Sequence, residues 1–95
     1  MLEVRWTAPA LIDLNEAIAY IANDSSKAAT SVGVRIAEAT QNLARHPGLG
    51  RPGCVPNTRE LMISGTPYVV PYRVRGDSVE VLRVLHAARR WPKRL

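Results

Sequence analysis

The run from Arg59 to Trp91, RELMISGTPYVVPYRVRGDSVEVLRVLHAARRW, restricts this chain more than any other part of it. Two glycine turns, Gly65-Thr66 and Gly76-Asp77, divide it into segments rich in Val, Leu, Ile and Tyr. The pattern predicts three consecutive antiparallel strands: Arg59–Ser64, Pro67–Arg75 and Ser78–His86. Two-residue hairpin loops then set the register, with Ser64 facing Pro67 and Arg75 facing Ser78. Arg59, Leu61, Ile63, Tyr68, Val70, Tyr72, Val74, Val81, Arg83 and Leu85 fall on one face. Glu60, Met62, Val69, Pro71, Arg73, Glu80, Leu82, Val84 and His86 fall on the other. The first set is bulkier and is expected to form the core. The second is expected to be open, and its apolar members Met62, Val69, Leu82 and Val84 then form a patch of the kind that marks a partner surface. Pro71 has no N–H to give, so a bulge or an unpaired stretch is expected beside it.

The first half supplies what covers that sheet. Leu2, Val4 and Trp6 alternate with Glu3 and Arg5, as in a half-buried strand. Thr7 is placed to cap a helix, with Pro9 in its first turn. Leu11, Leu14, Ile18 and Ile21 form its apolar stripe, and the helix is expected to end near Asn23-Asp24. Ser25 or Ser26 opens a second helix whose seam is Ala29, Val32, Ile36, Ala39 and Leu43. Gly33 inside it costs about 1 kcal/mol relative to Ala, which points to close packing against a neighbour. His46-Pro47-Gly48 ends this helix, and the short connection makes the pair an antiparallel hairpin. Residues 47–57, PGLGRPGCVPN, read as a loop. No lysine-serine pair or helix start follows its glycines, so they do not make a phosphate loop. The fold class expected is α+β: an N-terminal strand, a helical hairpin and a three-stranded antiparallel sheet, in one domain spanning 1–95.

Charge and composition narrow the function. The net charge is +5, with residues 1–50 at −1 and residues 51–95 at +6. Eleven of the thirteen basic residues are Arg, the better fork for phosphate or carboxylate. A basic second half suits a polyanion or an acidic protein segment. The single Cys54 excludes an internal disulfide and a cysteine-built zinc site. No leader and no long apolar run is visible, so a cytoplasmic protein with no membrane span, no metal and no cofactor is expected.

TAPALIDLNEAIAYIA, then HPGLGRPG, TRELMISGTPYVVPYRV and VEVLRVLHAARRWP, taken in order, resemble the RelE/ParE superfamily of bacterial toxin–antitoxin modules. The resemblance implies a helical hairpin on a twisted antiparallel sheet that includes the N-terminal strand. It implies a cognate antitoxin as partner, of the ribbon-helix-helix type. Two activities run in the superfamily. RelE-like members cut messenger RNA on the ribosome, and ParE-like members trap DNA gyrase. The ribonuclease branch commonly has an Arg three residues before the tyrosine matching Tyr72, where this chain has Val69. That branch also often ends in a functional Tyr, and none follows Tyr72 here. The block GTPYVVPYRV…LRVLHAARRW looks closer to the ParE branch, which implies a gyrase-binding toxin.

The individual residues sort accordingly. Under the ribonuclease alternative His86 would be the proton-transfer group, with Arg73 or Arg89 as cation; the bland reading has His86 closing the last strand by a backbone hydrogen bond. Arg89, Arg90, Trp91, Lys93 and Arg94 form a basic, aromatic tail suited to a target surface. Met62, Val69, Arg73, Leu82 and Val84 are the expected antitoxin surface. Arg83 is expected to pair with Asp13 or Glu16. A third reading is a toxin fold that only binds a partner.

Overall fold

A computed structural model describes residues 1–89 and 91–95. Its elements are β1 (Glu3–Trp6), α1 (Ala8–Ala22), α2 (Ser26–Asn42), β2 (Arg51–Pro52), β3 (Arg59–Met62), β4 (Tyr68–Arg75), β5 (Ser78–Val81) and β6 (Leu85–His86). The sheet runs β1-β5-β4-β3-β2, and β6 also pairs with β4, beyond the end of β5. Both hairpins have the expected register: Leu61 opposes Val70, and Arg75 opposes Ser78. Gly65 and Gly76 take φ values of 76° and 59°, which explains glycine at both turns. The two edges of the sheet differ from expectation. β1 joins the sheet parallel to β5, with Glu3 beside Ser78 and Trp6 beside Val81, so the sheet is mixed. The loop 47–57 contains β2, which pairs Arg51 with Glu60.

The helices begin where their caps stand. The Thr7 hydroxyl accepts the Ala10 N–H, and the Ser25 hydroxyl accepts the Ala28 N–H. In α2, Ala29, Ile36 and Leu43 are buried as the seam predicts, and Thr40 is buried with them, its hydroxyl donating to the Ile36 carbonyl. A Cβ on Gly33 would lie 3.2 Å from Ile18 Cδ1, the close helix–helix approach expected there. In α1 the inward stripe is Ala10, Leu14, Ala17 and Ile21: Leu14 and Ile21 are as expected, while Ala10 and Ala17 take the places expected of Leu11 and Ile18, and Leu11 is 46% exposed. Ile36, Leu43, Leu61, Ile63, Tyr68, Val70, Tyr72, Val79 and Val81 make the core between the layers. Each large apolar side chain so buried contributes about 1.5–3 kcal/mol. Val74, expected among them, lies exposed near the end of β4.

The third expected strand breaks in two, and Pro71 is where it breaks. The Leu82 N–H donates to the Pro71 carbonyl, but Pro71 has no N–H to return to the Leu82 carbonyl. The start of α1 supplies the substitute: Thr7 Oγ1 lies 3.0 Å from the Leu82 carbonyl oxygen and 3.0 Å from that of Val81. One extra residue is then accommodated between β5 and β6. Tyr72 opposes Val81, whereas Tyr68 opposes His86 and Val69 opposes Leu85. A one-residue slip exchanges the faces. Val84 enters the helix-side core, 4% exposed, and His86 joins Tyr68 on that side. Leu85 moves to the outer face beside Val69. The Asp13 carboxylate on α1 holds the displaced segment by accepting the Val84 N–H at 3.0 Å.

Candidate functional site

The bulge creates a cleft between α1 and the β4–β6 end of the sheet. Its volume is about 180 Å³, and Asp13, Glu16, Tyr20, Tyr68, His86, Arg89 and Trp91 are among its walls. Asp13, Ala17 and Tyr20 share one face of α1 at helical spacing. Asp13 is occupied: it takes Arg83 Nε at 2.6 Å and Nη2 at 3.1 Å, the ion pair expected from sequence. The Asp13 hydrogen bond raises the Arg83 pKa above its ordinary value. The Tyr68 and His86 rings meet edge to face at 5.5 Å.

His86 is held by its own chain. Its Nδ1 accepts the Ala88 N–H at 3.1 Å, so the ring in this geometry carries its proton on Nε2. Its carbonyl accepts the Arg89 N–H and the Trp91 indole N–H, both at 3.1 Å. The Arg89 guanidinium lies 5.1 Å from the Tyr20 ring centroid, a cation–π distance. The tail thus turns back onto the end of the sheet and onto α1. Lys93 and Arg94 beyond it are exposed, and Arg90 lies outside the described residues.

Of the two cations that the ribonuclease alternative offers His86, the structure sets Arg73 apart from it and places Arg89 in the same cleft. Arg73 stands on the outer face and His86 on the helix side. Along β4, Arg73 is five residues from Tyr68, the partner of His86, or about 16 Å at strand rise. Arg73 is also paired, with its Nε 2.6 Å from Glu80 Oε1. That hydrogen bond lowers the Glu80 pKa below the ordinary carboxylate value. Arg89 does share the cleft with His86. Among the described residues no group of three or more His, Cys, Asp or Glu is placed to hold a metal ion.

The expected outer-face patch is smaller than its residue list. Met62 is 60% exposed and Leu82 is half-buried, but Val69 is 1% exposed and, with Val84 in the core, offers no surface. Val69 is covered because it lies on the central strand between Met62 of β3 and Leu85 of β6. Glu60, expected on the open face, is also buried, where its carboxylate takes Arg51 and the Cys54 N–H. Tyr72 does similar work on the other side. Its hydroxyl donates to the Pro47 carbonyl at 2.7 Å and accepts the Gly50 N–H at 2.8 Å. A Cβ on Gly50 would stand 2.7 Å from the Tyr72 ring, so the loop needs glycine there. Tyr20, Tyr68 and Glu16 escaped the sequence reading of the site. The i, i+3 and i+7 spacing of Asp13, Glu16 and Tyr20 along α1 was the available signal.

With this geometry in view, the comparisons are consistent with one another. Residues 4–91 match the model of the ParE toxin of the type II toxin–antitoxin system parDE. The chain is 47% identical over 90 residues to the Y4kP protein of Sinorhizobium fredii, covering 95% of this chain and 93% of that one. It is 38% identical over 89 residues to the toxin RelE2 of Caulobacter vibrioides, covering 94% and 99%. A solved structure of a chromosomal ParDE system from P. aeruginosa superposes with a TM-score of 0.80 at 29% identity, covering 90% of this chain and 96% of that chain. The fold is that of a small α+β toxin of a two-component toxin–antitoxin module. The chain belongs to the ParE toxin family of type II toxin–antitoxin systems.

Proposed function

We propose that this toxin acts by binding DNA gyrase and that a cognate antitoxin, of the ribbon-helix-helix type, keeps it silent. The observation that carries the reading is the separation of Arg73 and His86 onto opposite faces of the sheet, with Arg73 paired to Glu80 and the Arg89 guanidinium set over the Tyr20 ring. RNA cleavage requires a proton acceptor and a cation converging on one phosphate. A binding toxin requires only a surface. The tail residues Arg89, Trp91, Lys93 and Arg94 supply a basic one, anchored by Trp91 on the His86 carbonyl. Arg90 belongs to the same stretch of sequence. Met62, Leu82 and Arg73 remain as the accessible part of the expected antitoxin surface. A gyrase target makes the cytoplasm the site of action. No helix among the described residues is long and apolar enough to cross a membrane.

The alternative, a ribosome-dependent messenger-RNA endoribonuclease, draws on one feature. Among the described residues His86 Nε2 has no hydrogen-bond partner, and it stands at a cleft that also contains Arg89. Expressing the wild type and His86→Ala in growing cells separates the two. The gyrase reading expects both to arrest growth and to induce the DNA-damage response, with messenger RNA intact. Loss of arrest in a folded His86→Ala protein, together with cleaved transcripts in the wild type, would favour the ribonuclease.

A further inference from the structure

β4 is longer than the strand that covers it. β3 begins at Arg59, opposite Tyr72, so Arg73, Val74 and Arg75 of β4 extend past its end. The chain ahead of β3 does not follow them. Asn57 takes a φ of 65°, in the left-handed region that Asn tolerates, and the Gly53 N–H donates to the Thr58 carbonyl at 2.8 Å. Residues 53–58 thus close on themselves and leave β4 bare beside them.

Strand alternation decides which groups are left there. The Leu82 N–H donates to the Pro71 carbonyl, so the odd-numbered residues of β4 bond to β5 and the even-numbered ones to β3. Tyr72 meets Arg59. Val74 is the next of that series, and among the described residues its N–H has no backbone partner. It stands at a groove of about 320 Å³ lined by Pro52, Asn57, Thr58, Arg59, Arg73 and Val74.

The charges of this groove favour an anion. Arg59 Nη1 donates to the Gly50 carbonyl at 2.8 Å, and its Nε and Nη2 have no partner among the described residues. Arg73 uses only Nε, on Glu80. No acid is among the groove's lining residues, and Arg59 has no carboxylate within 4.0 Å among the described residues. Two guanidinium forks and a backbone N–H at one groove suit a tetrahedral oxyanion. The remaining walls decide which one. Pro52 and Val74 are its apolar members, and no aromatic ring is present on which a base would stack, so a free nucleotide or an unpaired strand gains nothing beyond its phosphate. A duplex offers phosphates in series. Arg75 and Arg5 stand with Arg73 around Glu80 on the outer face and continue the positive charge beyond the groove.

We propose that this groove binds a phosphate of a nucleic-acid duplex, holding the backbone without reading its sequence. Arg59 and Arg73 supply the forks, the Val74 N–H supplies a third donor, and Arg75 and Arg5 flank them. The site is separate from the cleft at His86. It predicts binding by the chain alone, with no gyrase present, and so stands or falls without the gyrase reading. The probe is a fluorescein-labelled DNA duplex two helical turns long, titrated with the purified chain at low salt and followed by anisotropy. The matching single strand, inorganic phosphate and ATP are the comparisons.

Saturable binding of the duplex is expected, with slowed hydrogen exchange at the Val74 amide. Arg59→Gln should weaken it at least fivefold and reduce the slope of log affinity against log salt by about 0.9, the share of one phosphate contact. Lys27→Gln, the same loss of charge on α2, should leave the affinity within twofold. Val74→Pro removes a donor that no ladder bond uses and should weaken binding, once circular dichroism has shown that the variant folds; Arg59→Gln carries the test if it does not. Equal weakening by Arg59→Gln and Lys27→Gln, or unchanged exchange at Val74 in the saturated complex, would overturn the proposal. So would tighter binding of the single strand, or displacement of the duplex by an equal concentration of phosphate or ATP.

Discussion

Asp13→Ala removes the group that holds the bulge in place, and its cost can be worked from the geometry. The carboxylate receives three hydrogen bonds, from Arg83 Nε, Arg83 Nη2 and the Val84 N–H. Its side chain is 13% exposed and that of Arg83 is 25% exposed. Breaking a fully buried ion pair costs about 3–5 kcal/mol. Arg83 retains enough access to water to rehydrate, which reduces that share to about 1–2 kcal/mol. The Val84 N–H sits above a side chain in the core, and leaving it without an acceptor adds about 1–3 kcal/mol. The sum is about 3 kcal/mol. At about 4–8 °C per kcal/mol for a chain of this size, Tm should fall by roughly 12–24 °C. Urea and thermal unfolding followed by circular dichroism measure this, with Glu16→Ala, one helical turn away and exposed, as a control expected within about 0.5 kcal/mol. Hydrogen exchange at Val84 and Leu85 should accelerate in the same variant. A loss below about 1 kcal/mol, or one no larger than that of Glu16→Ala, would refute the idea that Asp13 fixes the bulge.

Tyr72→Phe should cost about 1–3 kcal/mol in urea unfolding, because the Gly50 N–H and the Pro47 carbonyl lose their shared buried partner, and it should speed protease cleavage within residues 47–57. Glu80 is held below its ordinary value of 4.5 chiefly by the hydrogen bond from Arg73. Stability from that pairing is therefore fully present above pH 4.5 and lost as pH falls through the lower folded value. Glu80→Gln should flatten the stability–pH curve across that acid window, and an unchanged curve would remove the pairing from the account. The His86→Ala protein should retain growth arrest in cells.

Much of the fold was legible because local chemistry determines it. Thr7 and Ser25 mark the helix starts, and Gly65 and Gly76 fix both hairpin registers. Gly33 signalled a close helix contact, and Pro71 signalled a break in the ladder. The consequence of that break was not legible. Whether the strand resumes in register depends on Thr7 and Asp13, some seventy residues earlier, which accept and replace the interrupted hydrogen bonds. The slip moved Val84 and His86 to the helix side, and the site reading moved with them. The parallel pairing of β1 was hidden for a similar reason, since alternation reports a strand but not its direction. Tyr72, Gly50 and Glu60 act through contacts made across the loop, and no local pattern announces them. Arg83 paired as expected because a lone Arg among core positions needs an acid, and α1 offered only Asp13 and Glu16 nearby.

The central claim is that this fold disables its target by binding. Purified chain incubated with DNA gyrase, ATP and supercoiled plasmid, then treated with detergent and protease, tests it most directly. The account predicts linear plasmid that increases with toxin concentration and is unchanged for His86→Ala. An absence of linear plasmid and no loss of supercoiling activity at stoichiometric toxin would contradict it.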